Sequence, residues 1–403
     1  MTYPTIMPAL TLDFQNSKQL DPRVTFSRSS SATYINSAGQ VAYAAEHEPR
    51  FDHDGNGECL GLLIEESRTN LRTHSAITTA EFTSYQNRAT IVASTETAPD
   101  GTVSGLQITN NTGTSQYCWG EFTDYTTVPT TGFICASIFV KMVSGTEIEV
   151  KGDISNQGWM GFAGVRVDFS TANPTVTLLG ASGQNALGGD AIPYGNGWWR
   201  IWYYIDTADG FNTGQTKAVG VVPRIAGTSA YIWGAQIEAG KFPTSYIPTS
   251  GSELTRSADV AEMTGTNFSS WFNGNQGTMV SDVIVPFKEC SYYAFSGANR
   301  ITALSYTTPG TLTQSIGSQL GFAGTSYDDP VKFAVAYDDL EFVAVRDGGT
   351  VQSDPSTVNK TGIDKLYLGR FWSGTNFAKG VTIARLSYYN ERLTDAELQT
   401  ITL

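Results

Sequence analysis

Aromatic side chains set among short polar turns are the residues of this chain best suited to recognising a ligand. Tyr117 stands two residues before Trp119, Trp159 follows Asn156-Gln-Gly, Tyr327 leads into Asp328 and Asp329, and Trp372 lies in Arg370-Phe-Trp-Ser-Gly-Thr-Asn376. An aromatic ring packs against the C–H face of a sugar while neighbouring Asp, Asn or Gln bonds its hydroxyls, and this needs no net charge. Tyr117, Trp119, Trp159, Tyr327, Asp328, Asp329, Trp372 and Asn376 are therefore the candidate glycan-binding residues. Burial in a core or a subunit interface is the commoner fate of such rings, and it is the one expected for Trp198, Trp199, Trp202 and Trp233, which fall on strand-like segments.

Other chemistries fit the chain less well. Glycoside hydrolysis needs two carboxylates roughly 5 to 10 Å apart. Asp339 with Glu341, or Glu147 with Glu149, meets that spacing if each pair shares a strand face, although solvated strands carry the same pattern. Asp52-His-Asp-Gly-Asn-Gly-Glu58 opens like a calcium loop, but position twelve is Leu63 where a bidentate carboxylate belongs, so a plain turn is the preferred reading and no metal is assigned. The histidines, His47, His53 and His74, stand apart from any nucleophile elbow, and no phosphate-cradling glycine loop is present. Cys59, Cys118, Cys135 and Cys290 are scattered without a C-x-x-C pair and read as buried thiols. No catalytic residue and no cofactor are expected.

The elements that must hold these residues are strands. With Gly 41, Tyr 19, Phe 20 and Trp 8 but only 16% charged residues in 403, the composition is that of many short aromatic strands joined by glycine turns. A net charge of −13 without a basic stripe disfavours nucleic acid and anionic lipid as partners. Nothing reads as a signal peptide or approaches ~18 uninterrupted apolar residues, so synthesis in the cytoplasm without membrane insertion is expected.

Three regions follow along the chain. Residues 1–74 hold brief apolar islands such as Leu60-Gly-Leu-Leu-Ile64, too few for a core of their own, which gain stability by adding strands to a neighbouring domain or another copy. Residues 75–260 carry strands at Gly132–Lys141, Thr146–Lys151, Gly164–Phe169, Trp198–Asp206, Lys217–Val222 and Ala230–Glu238. Alternation in Thr146–Lys151 predicts a half-buried strand, whereas Trp198–Ile205 is apolar on both faces and must be covered on both. Residues 261–403 continue with Gly277–Pro286, Val331–Ala336, Leu340–Arg346, Lys365–Gly369 and Val381–Tyr389. Thr394 and Glu397 form a capping box there, with Leu393 and Leu398 placed as a hydrophobic staple for a final helix. The expected class is all-β, tandem β-sandwich domains after an N-terminal segment with little core of its own.

Several separated motifs carry a resemblance. Arg23-Val-Thr-Phe-Ser-Arg-Ser-Ser-Ser-Ala-Thr-Tyr34, Pro49-Arg-Phe-Asp-His53, Leu60-Gly-Leu-Leu-Ile-Glu-Glu-Ser-Arg-Thr-Asn-Leu71, and Trp233 to Val260 with its Phe-Pro-Thr-Ser-Tyr-Ile-Pro run resemble bacteriophage and prophage fibre or head-spike proteins with a carbohydrate-binding-like jelly roll. Gene-transfer particles carry similar proteins. The stretch Ile383 to Leu398, with Leu366-Tyr-Leu-Gly-Arg370, resembles a concanavalin-A-like or laminin-G-like domain over roughly residues 265 to 403. The resemblance implies a virion location, an N-terminal segment attaching to other virion proteins or trimerising, a homotrimer, and adsorption to host cell-surface polysaccharide without catalysis. Two other roles stay open: a capsule-degrading hydrolase, whose glucanase-like Glu-x-Asp-x-Glu strand this chain lacks, and a purely structural decoration protein.

Overall fold

β-Branched and aromatic residues at alternate positions, interrupted by Gly, Asn and Asp, favour extended strands over helices. The computed structural model describes residues 3–84, 88–112, 120–123, 125–152, 162–181, 184–208, 215–216, 219–284, 291–299, 301–306, 311–313, 320, 330–355, 362–370 and 380–403. These residues form antiparallel sheets arranged as two sandwiches.

The middle sandwich pairs a six-stranded sheet with a seven-stranded one. The first runs Gly188–Pro193, Trp199–Asp206, Phe133–Ser144, Ser229–Ala239, Leu106–Asn110, Ala89–Ala93, and the second has Glu147–Gly152 at its centre between Ala163–Asp168 and Gly220–Pro223. Ile138, Val140, Ile201 and Ile232 of one sheet meet Ile148, Val150, Val165 and Val221 of the other in a single core. Glu147–Gly152 is not half-buried as its alternation predicts. Its polar face is covered too, because Glu149 takes Lys151 at 2.7 Å, Arg166 at 3.0 Å and Arg224 at 3.1 Å, an ion cluster that neutralises what would otherwise need water.

The terminal sandwich draws strands from both ends of the chain. Its eight-stranded sheet runs Gln352–Asp354, Phe342–Arg346, Pro330–Tyr337, Gly277–Ile284, Val381–Tyr389, Cys59–Ile64, Arg50–His53, with Leu10–Asp13 also paired to Val381–Tyr389. Leu10 lies opposite Tyr388 and Leu62 opposite Ile383, so the N-terminal apolar islands face the same core as Met279, Phe333 and Leu386. The opposing six-stranded sheet likewise takes Thr25–Ser27 beside Val260–Thr264. The expected capping box is present: the Thr394 hydroxyl accepts from the Glu397 amide, the Glu397 carboxylate accepts from the Thr394 amide at 2.8 Å, and Leu393 and Leu398 are buried together.

Between the sandwiches, the hairpin of Ala32–Ile35 and Val41–Ala44 lies on the outer face of the middle six-stranded sheet. Ile35 and Val41 pack there with Phe139, Trp198, Trp233 and Tyr246. The approach is close enough that a Cβ on Gly39, whose φ is +69°, would sit 2.8 Å from the Cα of Gly195. With residues 242–249, this hairpin covers the Trp198–Arg200 end of the second face of the Trp198–Ile205 strand, where Trp198 joins the cluster and Arg200 donates to the Thr244 carbonyl, so the cover there comes from the same chain. Two prolines, Pro243 and Pro248, bar residues 242–249 from a regular ladder. Buried side chains take over: Glu238 accepts from the Thr244 amide (3.0 Å), Glu65 from Ser245 (2.8 Å), Gln236 from Ile247 (2.7 Å) and Ser75 from Thr249 (2.7 Å).

An ion cluster locks the three parts together. Arg28 bonds Asp259 at 3.0 Å; Arg50 bonds Glu65 at 2.7 Å and also Asp259; Arg256 approaches Glu65 at 3.5 Å. All five side chains are buried; Arg28 also donates to the Ser30 and Ala45 carbonyls and Arg50 to the Thr33 carbonyl and the Ser245 hydroxyl, while the Nε of Arg50 and of Arg256 have no hydrogen-bond partner among the described residues. Burial by itself would raise the Glu65 carboxyl, but the charges of Arg256 and Arg50 and the Ser245 hydrogen bonds hold it at about 2.

Two outcomes follow from this cluster. Asp259→Asn leaves Arg28 and Arg50 short of a counter-charge and should cost about 3–5 kcal/mol in urea denaturation; a loss under ~1 kcal/mol contradicts the lock. Because the folded-state value of Glu65 lies below its ordinary 4.5, its contribution is full above pH 4.5 and disappears as pH falls through about 2. Glu65→Gln should therefore flatten the acid limb of the urea midpoint against pH.

Candidate functional site

The eight sequence-selected ligand residues lie outside the described residues: Tyr117, Trp119, Trp159, Tyr327, Asp328, Asp329, Trp372 and Asn376. The strand tryptophans are placed as expected. Trp198 and Trp233 are buried, donating their indole N–H to the Thr97 carbonyl (2.9 Å) and the Ser104 hydroxyl (3.0 Å), Trp202 is buried on the strand Trp199–Asp206, and Trp199 packs half-buried on the middle core.

The candidate acid pairs are disposed differently from a hydrolytic site. Asp339 and Glu341 do not share a strand face; they sit in the turn before Phe342–Arg346, which Asp338 closes by accepting from the Leu340 and Glu341 amides, and Glu341 bonds Arg392 at 2.6 Å. Glu149 is enclosed by its three cations, and Glu147 faces Arg224 at 3.5 Å. In the calcium-like loop, Asp54 spends one carboxylate oxygen on the Asn56 and Glu58 amides, both at 2.9 Å, which is turn chemistry. No group of three or more metal-ligating side chains occurs among the described residues. Cys59 and Cys135 are free and buried.

A cleft of ligand size lies among the described residues of the terminal sandwich. It measures about 560 Å³, within the range of small-molecule sites, and lies between the helical turn Thr266–Ser269 and the start of the strand Ile363–Leu368. Phe268 and Phe272 give it apolar walls; Thr264, Thr266 and Ser269 add hydroxyls, and Asp364 and Lys365 add a carboxylate and an ammonium 3.6 Å apart.

The wall is rigid for an identifiable reason. Phe272 stacks on Phe268 with ring centroids 4.6 Å apart and contacts Phe295 at 5.2 Å and Tyr388 at 5.8 Å, so rings anchored in the core hold it in place. Trp271 closes the back of the stack, its indole N–H bonded to the Asn267 carbonyl at 2.8 Å. Gly265, with φ +56° and ψ −136°, makes the turn that carries Thr264 into Thr266. Donors, acceptors and an apolar ring face thus converge on one cleft with little net charge.

None of these residues was singled out from the sequence. The available signal was Phe268-Ser-Ser-Trp271-Phe272, aromatics at i, i+3 and i+4, which marks one face of a helical turn; Asp364 and Lys365 come to it only through the pairing of Val260–Thr264 with Ile363–Leu368.

No protein-family model matches this chain, and no curated protein matches it. Among solved structures it is similar over parts of its length to a mutant of NanB sialidase from Streptococcus pneumoniae (18% identity, 35% of this chain and 26% of that one, TM-score 0.30). It is similar also to Ruminococcus gnavus IT-sialidase CBM40 (16% identity, 34% and 88%, TM-score 0.29) and to domain 4 of AbnA, an extracellular arabinanase from Geobacillus stearothermophilus, in complex with arabinotriose (11% identity, 41% and 84%, TM-score 0.28). The chain spans about a quarter of the sialidase's length.

Proposed function

We propose that this protein binds saccharide in the cleft of Phe268, Phe272, Asp364 and Lys365 without cleaving it. The observation that carries the reading is the anchored ring of Phe272 beside hydroxyls, a carboxylate and an ammonium. A pyranose offers a C–H face for the ring and hydroxyls that both donate and accept, which matches that set. The near-cancelling charges of Asp364 and Lys365 suit a neutral sugar. A non-catalytic role is supported by the committed state of Glu147, Glu149 and Glu341, whose partners are cations placed by the fold.

The setting we propose is a phage or gene-transfer-particle fibre or spike, made in the host cytoplasm and carried on the virion. There it adsorbs to host cell-surface polysaccharide and contacts other virion proteins through its N-terminal segment. The support for this is the set of motifs between Arg23 and Val260. A homotrimer belongs to the same proposal, since three weak sites on one particle bind far more firmly than one.

Phe272→Leu keeps apolar volume but removes the ring face, and should weaken binding of purified host polysaccharide about tenfold by calorimetry, the equivalent of ~1.4 kcal/mol of stacking. Unchanged affinity would remove the cleft from the proposal, and sustained release of reducing ends would replace adsorption by hydrolysis. Sedimentation equilibrium should return three times the 43.4 kDa chain mass; a stable monomer would sink the trimer.

A further inference from the structure

Asp364 and Lys365 stand at a break in the sheet. Neighbours in a regular strand point to opposite faces, yet the Asp364 carboxylate and the Lys365 ammonium lie 3.6 Å apart. A β-bulge explains this. Across the strand Ser291–Gly297, Lys365 lies opposite Ser296 and Ile363 opposite Gly297, so Asp364 is the extra residue and has no ladder partner on that side. On the other side Lys365 lies opposite Thr264, where the strand Val260–Thr264 ends. The bulge therefore turns Asp364 out of the ladder at the corner where the cleft opens.

Backbone contacts fix that corner. Gly362, at φ +77°, brings its carbonyl to the Ala298 amide at 2.8 Å, and a Cβ on Gly297 would run into the same carbonyl oxygen. The two glycines thus let the end of Ser291–Gly297 press against the start of Ile363–Leu368, which sets the bulge. The side chains it presents are uncommitted. Asp364 is 67% exposed and Lys365 31%, and neither side chain hydrogen-bonds another described residue. At 3.6 Å their mutual attraction is the weak kind found between solvated charges, so a ligand parts them easily.

We propose that this pair makes the cleft selective for a free vicinal diol on a neutral pyranose, an inference that rests on the saccharide reading of the same cleft. A carboxylate only accepts and an ammonium only donates, whereas a hydroxyl does both. One sugar hydroxyl donates to Asp364 while its neighbour on the adjacent ring carbon accepts from Lys365, and the C–H face of the ring lies on Phe272. Hydrogen bonds to charged groups are the stronger ones. A sugar with a linkage or an acyl group on one of the two oxygens forfeits such a bond, which is how a site separates ligands of equal ring and equal charge. Phe272 recognises a pyranose; Asp364 and Lys365 recognise which of its hydroxyls are free.

Calorimetry on the full chain with two neutral glucans tests this. Dextran keeps three adjacent hydroxyls free on each glucose unit; a soluble linear glucan of equal length joined through its third carbons has the same ring, but no two free hydroxyls on adjacent carbons along the chain. Dextran should bind about tenfold more tightly per glucose unit. Asp364→Ala and Lys365→Met alter side chains that carry little of the fold, and each should remove most of that preference while leaving the affinity for the other glucan unchanged. Phe272→Leu should instead weaken both glucans alike, so a failed ring contact shows in that variant and a failed diol contact shows in the preference. Equal wild-type affinity for the two glucans overturns the diol assignment, as does binding to neither, or a preference for dextran that survives in both Asp364→Ala and Lys365→Met. Unchanged affinities in Phe272→Leu remove the cleft, and the diol assignment with it.

Discussion

Five buried side chains, Arg28, Arg50, Glu65, Arg256 and Asp259, form the constraint on which this architecture depends. Removing charges from water costs several kcal/mol per ion, and the cluster offsets this by giving each arginine a carboxylate and by donating from Arg28 and Arg50 to backbone carbonyls. That pairing fixes positions drawn from far apart in the chain: residues 28, 50 and 65 before the middle sandwich, 256 and 259 after it. Specificity of assembly is a better description of its role than raw stability, since a well-packed apolar replacement of a buried ion network is often as stable.

The consequence is that the N-terminal region has no core of its own and yet is firmly ordered. Its strands Leu10–Asp13, Thr25–Ser27, Arg50–His53 and Cys59–Ile64 belong to the terminal sandwich, while its hairpin rests on the middle one. One segment thereby fastens both. Backbone groups that prolines exclude from ladders are satisfied by Glu65, Gln236, Glu238 and Ser75, so the crossing between sandwiches is held by side chains where elsewhere it is held by sheets. The joint so built is polar and charged.

The cleft beside Phe272 obeys a different logic. Aromatic rings inside the terminal core stack outward until one of them reaches the surface, and the strand pairing brings Asp364 and Lys365 alongside. Rigidity comes from the core and polarity from the edge, the combination a hydroxyl-rich ligand requires. The charged face of the middle sandwich, by contrast, is closed on itself around Glu149.

Alternation, glycine turns and the capping residues determined the class of fold and most strand positions, because side-chain period and turn chemistry are local properties. Trp198–Ile205 and Val381–Tyr389 were legible on that basis, and Thr394 with Glu397 announced the last helix. Pairing between distant segments was not legible: Leu60–Ile64 read as an orphan island because its partner lies some three hundred residues on, at Val381–Ile383. For the same reason Glu149 read as solvated, and the cleft went unseen, since Phe272 and Lys365 share no sequence neighbourhood. Composition and period are written in each residue's own neighbours; burial of charge and the shape of a cleft are set by which strand lies alongside, and only the tertiary fold decides that.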